Sequence, residues 1–167
     1  MASINGISIK GLKAFRDHEG ATIYQGNVYY RGKKLGFWSQ DSWGGCDNYD
    51  FKEIMLNEEV ERFRNSDMVA PQYKAITNLD ILLYELTKLM DIEKEYKKAI
   101  KKGYKTYVEA FDGYHCRGYY TKDTNPKAIR DTEFYAKFVD DCKKVMFKDW
   151  DGKVGIYTSP DDFIVEV

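Results

Sequence analysis

Three cysteines, two histidines and three prolines are all that 167 residues contain of those types. Cys46, Cys116 and Cys142 are odd in number and widely spaced, which excludes a disulfide framework and points to free thiols in a reducing compartment. With His18 and His115 as the only imidazoles, no Cys/His spacing suits a zinc site. No apolar run approaches the roughly 20 residues that a membrane span needs. The opening Met-Ala-Ser-Ile-Asn lacks the basic start and apolar middle of a signal peptide, so a soluble intracellular protein is expected. The net charge of −1 leaves out both a strongly basic nucleic-acid binder and an acidic mimic of DNA.

What is present is aromatic. Fourteen tyrosines, nine phenylalanines and three tryptophans make up 16 % of the chain, and 43 % of its residues are apolar. That is far from a disordered composition, and 167 residues suffice for one respectable core. The expectation is a single α+β domain over residues 1–167, an antiparallel sheet built of hairpins with one long and two shorter helices packed on it. Charge is uneven along the chain. Residues 93–122 carry eight Lys and Arg against four Asp and Glu, and Lys94, Lys97, Lys98, Lys101, Lys102 and Lys105 crowd into that block.

Hydropathy patterning places the elements. Ile7, Ile9, Gly11, Lys13 and Phe15 against Ser8, Lys10, Leu12 and Ala14 give a partial period of two, read as a strand over Ile4 to Phe15. A helix from Lys10 to Glu19 competes, because Leu12 and Phe15 stand three apart. Ala21 to Gln25, Asn27 to Tyr30 and Lys34 to Ser39 follow as a meander with turns at Gly26 and Gly32. Asp50-Phe51-Lys52-Glu53 resembles a capping box opening a helix to about Arg64, and Asn65 to Gln72 is a loop. Thr77 or Asn78 caps the long helix, whose leucines keep the helical period until Gly103. Asp112-Gly113 joins a second hairpin, Tyr104 to Phe111 with Tyr114 to Thr121. Asp123 to Pro126 reads as a loop. Thr132 to Cys142 reads as a helix with Phe134, Phe138 and Val139 inward. A third hairpin joins Val145–Trp150 to Lys153–Thr158 through Asp151-Gly152, and Ile164 and Val165 add a last edge. The Gly-Lys turns at Gly32 and Gly152 are shared hairpin chemistry rather than a duplication.

Four constellations are candidates for function. Phe37, Trp38, Trp43 and Tyr49 flank a polar glycine loop; an indole between Ser42 and Gly44 anchors a partner or folds back over the sheet. Asp41, Asp47 and Asp50 lie in the same loop. They either hold a divalent cation, as in a metal-dependent hydrolase, or spend their oxygens on turns and on the helix cap. Lys98, Lys101, Lys102 and Lys105, with Tyr107, Arg117 and Tyr119 read as one hairpin face, interleave cations with rings as single-strand nucleic-acid binders do. Glu109 interrupts that face. Finally, Cys46 or Cys116 would need an imidazole at hand to act as a nucleophile, and a buried or idle thiol is the simpler reading.

Two resemblances are carried by short motifs. His18-Glu19-Gly20 after Ile9 to Phe15 resembles the start of the phage lysozyme pattern, in which a helix ending in Glu-Gly delivers a general acid; the glycine, tyrosine and histidine run of that pattern does not follow. Gly32-Lys-Lys-Leu-Gly-Phe-Trp-Ser-Gln-Asp-Ser-Trp-Gly-Gly45, with Asn48-Tyr49-Asp50-Phe51 after it, is similar to a pattern in small uncharacterised proteins of phages, plasmids and other bacterial mobile elements. That resemblance implies the bacterial cytoplasm. Small proteins in that setting commonly bind and block a host or defence component, anti-CRISPR inhibitors among them. No paired catalytic constellation is visible, so the leading expectation is a non-enzymatic protein-binding inhibitor without cofactor. Its preferred contact is the aromatic loop, with an exposed sheet edge second. A nucleic-acid-binding accessory protein and a metal-dependent hydrolase are the alternatives.

Overall fold

Ile7 and Ile9 do lie on a strand, and the helix over Lys10 to Glu19 does not form. In the structure, a computed structural model describing residues 1–112, 115–148, 150 and 152–167, the chain divides into two compact units, Met1–Asp91 with Phe163–Val167, and Ile92–Asp162. The architecture is α+β, and every strand pair but one is antiparallel among the described residues.

The first unit holds a six-stranded sheet. Its strands are β1 (Ser3–Ile4), β2 (Ile7–Arg16), β3 (Thr22–Tyr30), β4 (Lys33–Ser39), β5 (Asn48–Tyr49) and β9 (Ile164–Val165), in the order β5-β4-β3-β2-β1-β9. β9 is the expected last edge, and it pairs parallel to β1. Arg31 and Gly32 both take positive φ, 46° and 81°, in a two-residue turn between Tyr30 and Lys33. That conformation matches the twist of the strands it joins.

Gly26 is not a turn. It sits inside the continuous strand β3, opposite Trp38 on β4, and a Cβ there would stand 2.6 Å from the Ile9 side chain. Glycine is needed for close packing rather than for chain reversal. Ile7, Ile9, Val28 and Trp38 are fully buried on this sheet.

The helix expected from Asp50 begins later. A single 3-10 turn at Glu53–Leu56 precedes α1 (Asn57–Asn65), and neither has a side-chain cap. The Asp50 carboxylate accepts from the Phe37 N–H instead, and the Asp50 N–H donates to the Phe37 carbonyl at 3.0 Å. Asp50 extends the sheet rather than starting a helix. Another 3-10 segment, Pro71–Ile76, leads to α2 (Leu79–Lys101), where Asn78 Oδ1 accepts from the Ile81 N–H at 3.1 Å as a cap. Leu82, Leu83 and Leu86 are fully buried, as their helical spacing requires. Gly103, at φ 83°, ends α2 while the Tyr104 N–H reaches back to the Ala99 carbonyl at 3.0 Å.

The second unit is built on three strands, β6 (Thr106–Phe111), β7 (Cys116–Thr121) and β8 (Val154–Tyr157), in the order β7-β6-β8. The expected turn at Asp112-Gly113 includes a residue outside those described. Two helices follow β7. The first, α3 (Pro126–Arg130), replaces the end of a predicted loop; Asn125 accepts from the N–H of Lys127 and Ala128, and Pro126 occupies the first turn. The second, α4 (Glu133–Lys143), is capped by Thr132.

Val145 and Met146 are not strand residues. Both donate to the Cys142 carbonyl, at 3.0 and 2.8 Å, in a tight turn that continues α4. Their side chains pack with Ala110, Cys142, Phe138, Trp150 and Val154 into the core of this unit. β8 therefore pairs with β6 rather than closing a third hairpin, and the predicted turn residue Asp151 lies outside the described residues. Phe134, expected inward, is 62 % exposed.

Candidate functional site

The loop between β4 and β5 is shaped by one carboxylate. Asp41 Oδ1 accepts from the Trp43 N–H at 3.2 Å and Oδ2 from the Gly45 N–H at 2.9 Å. Gly44, at φ 76°, lies between them. This is the turn-bending use of aspartate. It presents Trp43 outward, 77 % exposed, and the indole lies flat on the His18 imidazole with ring centroids 4.3 Å apart and planes 29° from parallel.

His18 belongs to the turn between β2 and β3. Its Nδ1 is 2.9 Å from the Ser42 carbonyl oxygen, and a carbonyl only accepts, so Nδ1 carries the hydrogen. Asp17 fixes that turn by accepting from the N–H of Glu19 and Ala21, at 2.9 and 2.7 Å. Two separately pinned loops thus meet at a stacked ring pair. Glu19 is on a turn after a strand, with its side chain 79 % exposed. The lysozyme-like reading needed a helix ending at that position, and the segment that leads into the turn is the strand β2.

The other members of the aromatic loop are placed differently. Trp38 is fully buried, which removes it as an open contact; its Nε1–H donates to Asp47 Oδ2 at 2.7 Å. Strict alternation puts Trp38 on the core face, and Phe37 on the opposite face is half-buried. Tyr49 is half-buried, donates its hydroxyl to Asp80 and meets Phe51 edge-on. Burial, with that bond adding to it, pushes the Tyr49 hydroxyl well above its ordinary value.

The three loop acids therefore do three different things. Asp41 holds loop amides, Asp47 holds the Trp38 indole and Asp50 holds the Phe37 amide. Burial raises the Asp47 carboxyl above its ordinary value, against the indole bond that lowers it. No group of three or more His, Cys, Asp or Glu among the described residues is arranged around a common ion position.

The second hairpin does not form the single face that the sequence suggested. Tyr107 pairs with Tyr120 across β6 and β7, and Tyr119 pairs with Val108. Arg117 and Tyr119 thus stand on one side of the sheet with Val108 and Ala110, while Tyr107 and Glu109 stand on the other with Tyr120 and Gly118. The reading failed because directly opposed residues share a face, and here odd numbers on β6 oppose even numbers on β7.

Tyr107 is only 5 % exposed, so no base can stack on it. Tyr120, Tyr107 and Tyr157 form a row across the three strands, with ring centroids 5.7 and 6.3 Å apart. The rings of Tyr107 and Tyr157 lie over Gly118 and Gly155, where a Cβ would stand 2.5 and 2.6 Å from their hydroxyls. Among the lysines, Lys98 pairs with Glu95, Lys102 lies 5.2 Å above the Tyr120 ring, and Lys101 and Lys105 are exposed.

Two of the three thiols, Cys46 and Cys116, are exposed. Cys142 is buried in the core. Although Cys116 is exposed, partial desolvation against the sheet and the neighbouring Glu109 push its thiol up to about 11, which leaves it protonated at neutral pH. His115 faces Asp112, with its Nδ1 2.9 Å from Oδ2, and its ring meets Phe147 edge-on.

Sequence reasoning named Trp43 but missed its platform, because nothing in the spacing of His18 and Trp43 marks them as neighbours. No protein-family model matches the chain, and neither does any curated protein or solved structure.

Proposed function

We propose that this chain is a non-enzymatic binding protein that works by occupying a surface of another protein, with Trp43 as its anchor. The observation that supports this reading best is an indole that is largely exposed and yet fixed from beneath by His18 and from its own backbone by Asp41. An exposed aromatic side chain that is already ordered loses little entropy on binding, which is the property of interface hot spots. In the phage or mobile-element setting that the resemblance implies, the partner is a component of the bacterial host or of its defence. The effect is then blocking or modulation, as with an anti-CRISPR inhibitor.

The nucleic-acid alternative loses its stacking ring to burial at Tyr107, and the metal alternative loses its cluster to three separate hydrogen-bonding tasks. The test is parallel capture from nuclease-treated bacterial lysate on the immobilised wild type and on Trp43→Ala, with mass spectrometry. A protein retained by the wild type and absent from the variant supports the proposal. Identical retained sets, or retention lost on nuclease treatment, overturn it.

A further inference from the structure

The two-residue strands β5 and β9 end the sheet of the first unit, but β7 ends that of the second with six residues. Cys116, Arg117 and Gly118 are exposed along it. A sheet edge of this length is a template for another strand unless it is covered or blunted.

The phase of the ladder shows which groups are offered. The Asp112 N–H donates to the His115 carbonyl at 3.3 Å, next to the paired residues Phe111 and Cys116. Counting on in twos from that bonded pair, Arg117, Tyr119 and Thr121 bond inward to β6. The main-chain groups of Cys116, Gly118 and Tyr120 then face away from it. Gly118, at the centre, has no side chain to obstruct an incoming strand.

A groove of about 780 Å³ runs beside this edge, between β7 and α4. Phe134, Lys137 and Phe138 line its far wall, at the i, i+3, i+4 spacing that brings side chains onto one helix face. Its floor is aromatic: Tyr119 meets Phe134 and Phe138 edge-on, at 4.8 and 5.0 Å. Its charges are Arg117, Lys137 and Asp141. Asp141 is already bonded to Lys144 at 2.7 Å, and Lys144, Lys137 and Arg117 together hold its carboxyl below the usual range. The groove is therefore left with a positive surplus. At the Thr121 end a second hollow continues past Tyr119 and Phe134 and carries Asp123, so the positive end is the one near Cys116.

We propose that the free edge of β7 binds an extended, acidic segment of another protein as an added strand. Carboxylates of that segment lie beside Arg117 and Lys137, and an apolar side chain rests on the Tyr119–Phe134 step. Main-chain pairing supplies affinity, and the groove reads alternate side chains. A second copy of this chain pairing through β7 would bring the same two cations of both chains into one groove, so charge favours the acidic segment. This surface does not rest on the reading of Trp43.

The test uses labelled six-residue peptides and fluorescence anisotropy on the full chain. The probes are Glu-Val-Glu-Phe-Glu-Val, Lys-Val-Lys-Phe-Lys-Val, and two acidic versions N-methylated on alternate residues. The acidic peptide binds about tenfold tighter than the lysine peptide, and Arg117→Glu inverts that order. One N-methylated isomer loses binding and the other keeps it. Amide exchange slows at Cys116, Gly118 and Tyr120 when the acidic peptide is added. The proposal is overturned if neither peptide binds, if the two bind alike, or if both methylated isomers behave the same. Concentration-dependent dimerisation that protects the same three amides without peptide overturns it in favour of a second copy.

Discussion

The indole of Trp43 lies on the imidazole of His18, 4.3 Å between centroids, although the two residues stand on different loops of the first sheet. Each loop is pinned by an aspartate that accepts two backbone N–H groups, Asp17 on one side and Asp41 on the other. The stack is therefore the meeting of two ordered turns rather than the fold-back of a loose side chain. That order separates Trp43 from an ordinary exposed aromatic residue.

His18→Ala removes the lower ring and leaves in place the backbone bond from Trp43 to Asp41. Acrylamide quenching and time-resolved anisotropy of the tryptophan emission should both report a more mobile, more accessible indole, with Tm shifted little because both residues are at the surface. An unchanged quenching constant would show that the stack does not restrain Trp43.

Asp47 carries a pH signature. Its carboxyl is raised above the ordinary value of 3.8, chiefly by burial beside the Trp38 indole. The folded state then holds more protons than the unfolded one between 3.8 and the raised value, so the wild type loses stability as pH rises through that window. Asp47→Asn keeps an acceptor for the indole without the charge. Urea melts across this range should show the variant gaining on the wild type as pH rises, and the two converging towards 3.8. Parallel curves would contradict this.

Glu59 gives the opposite slope. It is 3 % exposed, and although burial pushes its carboxyl up, hydrogen bonds from Tyr30 and Arg62 and the nearby Arg31 pull it below the ordinary value of 4.5. Its stabilisation is present above 4.5 and is lost as pH falls through the lowered value. Glu59→Gln should cost about 1–3 kcal/mol at neutral pH, the penalty for weakening a buried hydrogen-bond network. Chemical denaturation at pH 7 and below 4 measures it, and the gap between variant and wild type should narrow at the lower pH.

Gly118→Ala tests the tyrosine row. A Cβ there would stand 2.5 Å from the Tyr107 hydroxyl and 2.6 Å from its Cε2, and Tyr107 is nearly buried and has little room to move. Overpacking of this kind costs about 1–3 kcal/mol, read as a lower midpoint in thermal or urea unfolding. A midpoint equal to that of the wild type would mean that the ring swings aside.

Much of the fold was legible because it rests on local signals. The period of Leu79, Leu82, Leu83 and Leu86, the cap at Asn78 and the stop at Gly103 mark α2 from sequence alone, and the Arg31-Gly32 turn fixes its hairpin. Errors arose where one residue type serves two purposes. Gly26 looks like a turn but makes room for Ile9, and Asp50 looks like a cap but bonds to Phe37 on a neighbouring strand. Val145 and Met146 read as strand because they are apolar, yet the Cys142 carbonyl keeps them in a turn. The candidate site was only half legible. Trp43 stands out by its glycine neighbours, whereas the contribution of His18 depends on a meeting of loops 25 positions apart, and the groove beside β7 depends on a register that no dipeptide announces.

The most direct measurement is the affinity of the captured partner for the wild type and for Trp43→Ala, by titration calorimetry at equal Tm. The expected result is a loss of at least about 2 kcal/mol, roughly thirtyfold or more in Kd, with the fold unchanged. Equal affinities for the two proteins would contradict it.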